Sequence, residues 1–303
     1  MKVLLTGAYG MLGRSLQAAW SDDDVELVPI GRADVDLTDA VATRAVLEEV
    51  RPDTVIHAAA KVGGIAANLG DQSSFLMQNL LIDSSVVKGS FESGVRNLLY
   101  IGSSCMYPKD YRQPLVEHDV LAAPLEPTNE GYAIAKIAGS KYGSFLSEQY
   151  GVNFKTIIPS NLYGPDDDYS LDKGHLVAAA LRKAHDAKSA GASSIDVWGD
   201  GTARREFTFV GDVAQWIARE WKTIGSWPSV MNLGYGKDNS VLDYYRAALT
   251  VVGYQCDLIT DPSKPAGMQV KLMDSSVAKE FNWNPQTTIE DGMRVAYERF
   301  LAS

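Results

Sequence analysis

Residues 1–13 read MKVLLTGAYGMLG and decide the fold of this chain. The apolar run at 3–6 is typical of a buried strand, and it passes through Gly7, Gly10 and Gly13 into a helical pattern. In dinucleotide-binding folds such a turn lets the backbone approach a pyrophosphate at the helix N-terminus. The spacing is Gly-x-x-Gly-x-x-Gly rather than Gly-x-Gly-x-x-Gly, so a turn that needs glycine only for its backbone geometry is the alternative. The strand before the turn and the helix after it favour a cofactor site.

The alternation of strands and helices continues through the first half of the chain. Further strands are predicted near 25–29, 54–57 and 97–101, with helical patterns between them. Strands that alternate with helices form a parallel sheet covered on both faces. The sequence therefore predicts an α/β fold, a Rossmann-like doubly wound parallel sheet.

The second half of the chain is organised differently. From about residue 160 the pattern breaks into short pieces, which we interpret as a smaller C-terminal substrate-binding lobe. Residues 207–212 and the helix after them are expected to return to the sheet. We therefore expect a nucleotide-binding domain at 1–160, joined by 207–225, and a substrate-binding lobe at 161–303.

Composition and charge exclude several classes of partner. The chain has 303 residues, is 46% hydrophobic and carries a net charge of -10, with a pI near 4.9. Nucleic acids and anionic membranes require a basic face, so we expect neither as a partner, whereas small anionic ligands held by local Arg and Lys are possible. The first apolar run is too short for a signal-peptide core, and no run is long enough to cross a bilayer. Two cysteines far apart in sequence predict no disulfide framework and a cytoplasmic location, and we expect no metal.

The end of the second predicted strand indicates which nicotinamide cofactor fits. This strand ends in Gly31 and Arg32 without the carboxylate that would bind the ribose hydroxyls of NAD. NADP(H) is therefore favoured, although a solvated surface arginine is the alternative. Asp36 and Leu37 could border the adenine, or Asp36 or Thr38 could cap the next helix.

Residues 126–136 read EPTNEGYAIAK and contain a tyrosine and a lysine four residues apart. On a helix these two side chains share a face, so the ammonium of Lys136 is expected near the phenol of Tyr132. An adjacent cation favours the ionised phenol and lowers its pKa. Tyr132 is therefore a candidate proton donor or acceptor.

The glycine loop, the Gly-Ser-Ser at 102–104 and Tyr-x-x-x-Lys, in this order, resemble the extended short-chain dehydrogenase/reductase family. Further strings narrow the resemblance: AAKVGGI at 59–65, SSCMYP at 103–108, LEPTNE at 125–130 and NLYGP at 161–165. Together they are similar to the GDP-L-fucose synthase family, whose members are 3,5-epimerases and 4-reductases of GDP-4-dehydro-6-deoxy-D-mannose. The resemblance covers nearly the whole chain and implies an NADPH-dependent enzyme that forms a homodimer.

The resemblance also implies roles for five side chains. Ser103 and Tyr132 would bracket the C4 carbonyl of the sugar, and Lys136 would lower the pKa of the tyrosine and hold the nicotinamide ribose. Cys105 matches the base and His175 the acid that exchange protons at C3 and C5. The dehydratases of this superfamily carry glutamate where this chain has Cys105, so dehydration is disfavoured. In contrast, His57 ends a buried strand and is expected to be structural.

Ligand contacts follow from the same resemblance. The implied cofactor contacts are Gly7, Gly10, Met11, Leu12, Gly13, Arg32, Asp36, Leu37, Ile101, Ser103, Lys136, Pro159, Asn161, Leu162 and His175. The implied contacts to the GDP-sugar are Asn161, Lys183, Trp198, Arg205, Lys271 and Asp274. Lys183 stands where the family often has arginine, and Val270 replaces another arginine, so affinity is in doubt more than the type of reaction.

Two alternatives remain open. One is a 4-ketoreductase or epimerase of another nucleotide-deoxysugar, such as a colitose or deoxyheptose precursor, because pocket shape decides which sugar fits. The other is an NADP(H)-binding regulator without activity. Such a regulator is disfavoured because the chain retains Ser103, Cys105, Tyr132, Lys136 and His175 together.

Overall fold

The computed structural model describes residues 1–22, 24–170, 174–264 and 267–302. Within these residues the strands are β1 (Lys2–Thr6), β2 (Glu26–Ile30), β3 (Thr54–His57), β4 (Asn97–Ile101), β5 (Asn153–Pro159), β6 (Asn161–Tyr163), β7 (Ser194–Trp198), β8 (Arg204–Phe209), β9 (Val230–Leu233), β10 (Asp238–Ser240), β11 (Asp257–Asp261) and β12 (Val270–Lys271). The helices are α1 (Met11–Ala19), α2 (Ala40–Val50), α3 (Ile65–Gly70), α4 (Gln72–Glu92), α5 (Glu130–Tyr150), α6 (Leu176–Ala190), α7 (Val210–Glu220), α8 (Val241–Val252), α9 (Ser276–Lys279) and α10 (Ile289–Leu301).

A parallel sheet lies at the centre of the protein. Among the described residues it has six strands in the order β2-β1-β3-β4-β5-β9, and every neighbouring pair is parallel. The chain runs outward from β1 to β2 and then returns to β3 on the other side of β1. The connections therefore diverge between β1 and β3, which is where ligands bind in open parallel sheets.

Helices cover both faces of this sheet, as the continuous apolar strands require. Val3 and Leu5 of β1 contribute to the core beneath α1 and α7, whereas Leu4 between them contributes to the core beneath α2, α4 and α5. Successive strand residues point to opposite faces, so one short strand supplies both cores. The architecture confirms the predicted Rossmann-like α/β class.

The rest of the chain builds a smaller second layer of structure. Strand β8 pairs with β6, β10 and β12, and β7 pairs with β11. A separate apolar core holds α6, α8 and α10 against these strands. None of the helices in the described residues is long and apolar enough to cross a membrane.

The expected return of residues 207–212 to the central sheet is only partly correct. Strand β8 belongs to the small sheet, whereas α7 directly after it packs on α1 and the central core. Two further central strands were not predicted from the sequence, β5 at Asn153–Pro159 and β9 at Val230–Leu233. The division at residue 160 stays a proposal, and we propose that 210–233 belong with the nucleotide-binding part.

Candidate active site

A cleft of about 1130 Å³ opens at the carboxyl ends of the central strands. Residues just beyond β1, β3, β4 and β5 form its floor, and residues of the small sheet form its opposite wall. All the predicted catalytic and cofactor residues line this cleft. The predicted sugar-nucleotide contacts do so as well, except for Asp274. The glycine loop, residues between 101 and 136, and residues between 159 and 271 thus meet in one cavity.

The glycine loop has the shape that a diphosphate needs. Gly7 has φ +70°, and a Cβ there would lie 2.6 Å from the backbone nitrogen of Ala59. A Cβ on Gly13 would collide with the carbonyl oxygen of Gly7. Among the described residues no side chain caps α1 at Gly10, so the first N–H groups of the helix face the cleft. These groups fit the pyrophosphate of a dinucleotide.

At the adenine end of the cleft, Arg32 is exposed and forms no salt bridge within the described part of the chain. Asp36 accepts hydrogen bonds from the backbone nitrogen and hydroxyl of Thr38, at 2.9 and 2.7 Å. Helix α2 is capped instead by Asp39, which accepts from Val41 N at 2.8 Å. The alternative that Asp36 or Thr38 caps the helix is therefore wrong. The cationic Arg32 remains available for a 2′-phosphate.

Ser103, Tyr132 and Lys136 come together where the nicotinamide and the sugar would meet. Burial raises the pKa of Tyr132 above its ordinary value, Cys105 adds to this rise, and a hydrogen bond with Ser103 opposes it. The sequence predicted a lowered pKa for Tyr132, and that prediction is wrong because burial dominates. The Lys136 ammonium lies instead 3.7 Å from Asp83 Oδ1 and over the ring of Tyr100, at 4.1 Å from its centroid.

Asp83 belongs to a buried network that the sequence did not reveal. Its carboxylate accepts from Tyr100 Oη at 2.5 Å and from His57 Nε2 at 3.1 Å. Thr6 donates its hydroxyl to the other ring nitrogen of His57 at 2.7 Å. Burial lowers the pKa of His57, so the ring is neutral and the tautomer follows from these two bonds. His57 thus has the structural role expected for it, and it links β1 to the carboxylate beside Lys136.

Cys105 lies in a short 3-10 turn, Ser104–Met106. Ser103 caps this turn by accepting from Cys105 N at 3.2 Å. Two side chains donate to the sulfur: Asn129 Nδ2 at 3.1 Å and Lys271 Nζ at 3.9 Å. Lys271 therefore faces the candidate base, although the resemblance assigned it to the sugar nucleotide.

His175 precedes α6 and faces Asp167, with 3.9 Å between His175 Nδ1 and Asp167 Oδ1. Burial and Lys271 act to lower the pKa of His175, but Asp167, with a smaller effect of Asp168, outweighs them and the pKa is raised. The imidazolium form therefore persists to a higher pH than usual, which suits an acid. Lys173, two residues before His175, lies outside the described residues.

The far end of the cleft holds the other predicted sugar-nucleotide contacts. Lys183 donates to the carbonyl oxygen of Asp196 at 2.8 Å, and Trp198 is 44% exposed. Arg205 and Trp198 both face the cavity. Asp274 lies outside the lining and accepts from Ser276 N at 2.8 Å, so it shapes the start of α9.

Comparison with known proteins agrees with this architecture. A family model described as the NAD dependent epimerase/dehydratase family matches residues 3–234. The chain belongs to this family.

Two curated relatives match almost end to end. A GDP-L-fucose synthase of Azorhizobium caulinodans is 41% identical over 99% of this chain and 96% of its own. A GDP-L-colitose synthase of Yersinia pseudotuberculosis is 36% identical over 99% of this chain and 98% of its own.

Solved structures share the fold over the full length. A GDP-6-OMe-4-keto-L-xylo-heptose reductase from C. jejuni has a TM-score of 0.89 at 27% identity, covering 99% of this chain and 97% of its own. A GDP-L-fucose synthetase from Naegleria fowleri bound to NADP has a TM-score of 0.88 at 24% identity, covering 99% of this chain and 92% of its own. At that identity the second match supports the fold alone.

Proposed function

We propose that this protein is a GDP-L-fucose synthase, which epimerises C3 and C5 of GDP-4-dehydro-6-deoxy-D-mannose and reduces its C4 carbonyl with NADPH. The observation that carries the proposal is that one cleft holds both a Ser103–Tyr132–Lys136 group and a Cys105–His175 pair. A reductase alone needs only the first group. The full-length similarity to curated GDP-L-fucose synthases supports the substrate.

The cofactor has a site built for it. The glycine loop would hold the pyrophosphate of NADP(H), Arg32 the 2′-phosphate, and Lys136 the nicotinamide ribose. When bound, the cofactor supplies the hydride for the C4 carbon. A cation at the end of β2 favours the 2′-phosphate, so NADPH is preferred over NADH.

Tyr132 acts as the proton donor in the reduction. Because its pKa is raised, the phenol is protonated at neutral pH and can give its proton to the oxygen at C4. Ser103 shares this oxygen through a second hydrogen bond. The buried ion pair with Asp83 fixes the position of the Lys136 ammonium, one helical turn after Tyr132.

Cys105 and His175 act in the epimerisation. The Cys105 thiolate takes a proton from the carbon next to C4, leaving an enolate and a thiol, and the His175 imidazolium gives a proton to the opposite face. The thiol proton must then return to His175 by exchange with solvent before the second carbon reacts. The C4 carbonyl stabilises the enolate, so epimerisation precedes reduction.

The first test is NADPH oxidation at 340 nm with GDP-4-dehydro-6-deoxy-D-mannose, followed by NMR of the product sugar and a parallel assay with NADH. GDP-L-fucose as product supports the proposal. Reduction without epimerisation would contradict the roles of Cys105 and His175. Turnover only with a colitose or deoxyheptose precursor would instead support the alternative function. The similarity of the chain to a GDP-L-colitose synthase is the reason to test such a substrate.

Solvent deuterium separates the two half-reactions. Cys105→Ser should lose deuterium incorporation at C3 and C5, whereas Tyr132→Phe should lose reduction but retain exchange and NADPH binding. Equal exchange in the wild-type protein and Cys105→Ser would overturn the assignment of the base. An NADP(H)-binding regulator would show neither reaction.

We further propose a cytoplasmic homodimer. Cys105 and Cys256 are both free thiols, as a reducing compartment requires. Helices α4 and α5 pack side by side and expose Met77, Ile134 and Phe145. Such exposed apolar side chains on adjacent helices fit burial against a second copy. Light scattering of the wild-type protein and of Phe145→Glu tests this, and a monomeric wild type would refute it.

A further inference from the structure

Lys271 is a buried cation without a salt bridge in the described part of the chain. It is only 7% exposed, and the partner that its ammonium contacts there is Cys105 Sγ at 3.9 Å. Strand β12 pairs Lys271 with Arg205 of β8, so the backbone fixes where the side chain starts. Burying an unpaired ammonium is costly, so a buried lysine needs an anion close by.

Asn129 reaches the same sulfur from the other wall of the cleft. It immediately precedes α5, its backbone nitrogen donates to Glu126 O at 3.2 Å, and Nδ2 lies 3.1 Å from Cys105 Sγ. An amide N–H that donates to sulfur favours the thiolate over the thiol, because a thiolate is the stronger acceptor. Two donors on separate elements, β12 and the turn before α5, therefore converge on one atom.

The charges around the sulfur are mixed. Cys105 acts electrostatically on Tyr132 and Lys271. Arg205, Glu126 and His175 line the same cleft and interact electrostatically with Lys271. Glu126 is compensated by Lys109 at 3.7 Å. In the described part of the chain, Lys271 Nζ contacts the sulfur directly at 3.9 Å.

We propose that Lys271 and Asn129 hold the Cys105 sulfur as a thiolate, so that both are positioning residues for the base rather than contacts to the diphosphate. Burial lowers the pKa of Lys271 and the nearby Cys105 opposes this. In the proposed pair the ammonium keeps its proton and donates a hydrogen bond to the sulfur. The thiolate then takes the proton from the carbon next to C4. That last step rests on the proposed function, but the ionisation of the sulfur does not.

Alkylation of Cys105 by iodoacetamide tests this without any substrate. The rate would be measured from pH 5.5 to 9 by mass spectrometry of the Cys105 peptide, with the Cys256 peptide of the same sample as the internal reference. In Lys271→Met the pH of half-maximal rate should rise by about one unit. The rate at pH 7 should fall about threefold, because a more basic thiolate is also more nucleophilic. Alkylation of Cys256 should not change.

Two further variants keep the test decisive. Lys271→Arg retains the charge and should restore most of the rate, whereas Asn129→Leu removes a neutral donor and should shift the profile in the same direction by less. If Lys271→Met folds, as judged by its Tm, and alkylates Cys105 like the wild-type protein, the proposal is wrong. If Lys271→Met fails to fold, two other results together overturn the proposal. Asn129→Leu would alkylate Cys105 with the same pH dependence as the wild-type protein, and in the wild-type protein Cys105 would alkylate with the same pH dependence as Cys256.

Substrate kinetics then separate this role from sugar-nucleotide binding. A contact to the diphosphate alone predicts a raised KM in Lys271→Met with unchanged thiol reactivity, which would also overturn the proposal. If the protein forms no GDP-L-fucose but its alkylation rates depend on pH as expected, the proposed function is refuted. The proposal that Cys105 is held as a thiolate would still stand.

Discussion

At the residue scale, burial rather than sequence proximity sets the chemistry of Lys136. Its side chain is 2% exposed, and its ammonium lies 3.7 Å from Asp83 Oδ1, whose side chain is 1% exposed. Burial acts to raise the pKa of Asp83, but Lys136 and the hydrogen bonds from His57 and Tyr100 outweigh it and lower the pKa. The carboxylate is therefore ionised, and it compensates the charge of the lysine beneath Tyr132.

Removing this carboxylate should destabilise the protein. Asp83→Asn keeps the shape of the side chain but leaves Lys136 as an uncompensated buried cation, which costs about 3 to 5 kcal/mol. Urea unfolding at pH 7 measures the change. The control is Asp71→Asn, since Asp71 is half-exposed and pairs with Lys61 at 3.0 Å, and loss of a surface pair costs much less than loss of a buried one. Equal losses in the two variants would contradict the argument.

Asp167 should set the pH dependence of epimerisation. Because Asp167 raises the pKa of His175, Asp167→Asn should move the alkaline limb of the deuterium-exchange profile to lower pH, where less of the imidazolium acid remains. Asp166→Asn serves as the control, since Asp166 pairs with Arg299 at 3.0 Å instead. An alkaline limb at the same pH in all three proteins would exclude His175 as the acid that Asp167 controls.

At the scale of elements, the apolar runs located the first strands well. The predictions at 54–57 and 97–101 coincide with β3 and β4, because strands buried on both faces are continuously apolar. Strand β9 follows a long stretch of short elements outside the regular alternation of strands and helices, so its pattern alone could not assign it to the central sheet. The glycine loop was predicted by type, and its geometry gives each glycine a different role.

Gly13 and Gly10 should differ sharply in their tolerance of a side chain. A Cβ on Gly13 collides with the Gly7 carbonyl and the Ala8 backbone, whereas the nearest atom to a Cβ on Gly10 is 3.5 Å away. Gly13→Ala should therefore lose about 1 to 3 kcal/mol of stability in the absence of cofactor. The free energy of unfolding of Gly10→Ala should lie within about 0.5 kcal/mol of the wild-type value. Thermal or urea unfolding measures both, and similar losses would mean that the loop relaxes.

At the scale of the whole molecule, Glu206 connects distant segments. The carboxylate, 1% exposed, accepts from Gly236 N at 2.6 Å and from Met273 N at 3.0 Å. It thereby holds the segments after β9 and β12 against β8. Burial raises its pKa from 4.5 to about 7, despite these hydrogen bonds.

This shift predicts a loss of stability as the pH rises. Folded Glu206 binds its proton more tightly than unfolded Glu206, so its contribution is complete below about pH 4.5, falls up to about pH 7 and is constant above. The total is on the order of 3 kcal/mol. Urea unfolding should be measured at pH 5 and at pH 8. The free energy of unfolding should change less between these two pH values in Glu206→Gln than in the wild-type protein. Glu290→Gln, at an exposed position of α10, should behave like the wild type. An unchanged difference in Glu206→Gln would refute the shift.

The sequence by itself determined the βαβ start, the parallel sheet and the glycine loop, because these depend on local periodicity and on short motifs, whereas the residues expected to line the cleft were implied by the family resemblance. Only the tertiary structure decided how the reactive groups behave. Asp83 reaches Lys136 from another helix, and Lys271 reaches Cys105 across 166 residues of sequence. Ionisation depends on burial and on charges within a few ångströms, and the folded chain alone brings those charges together.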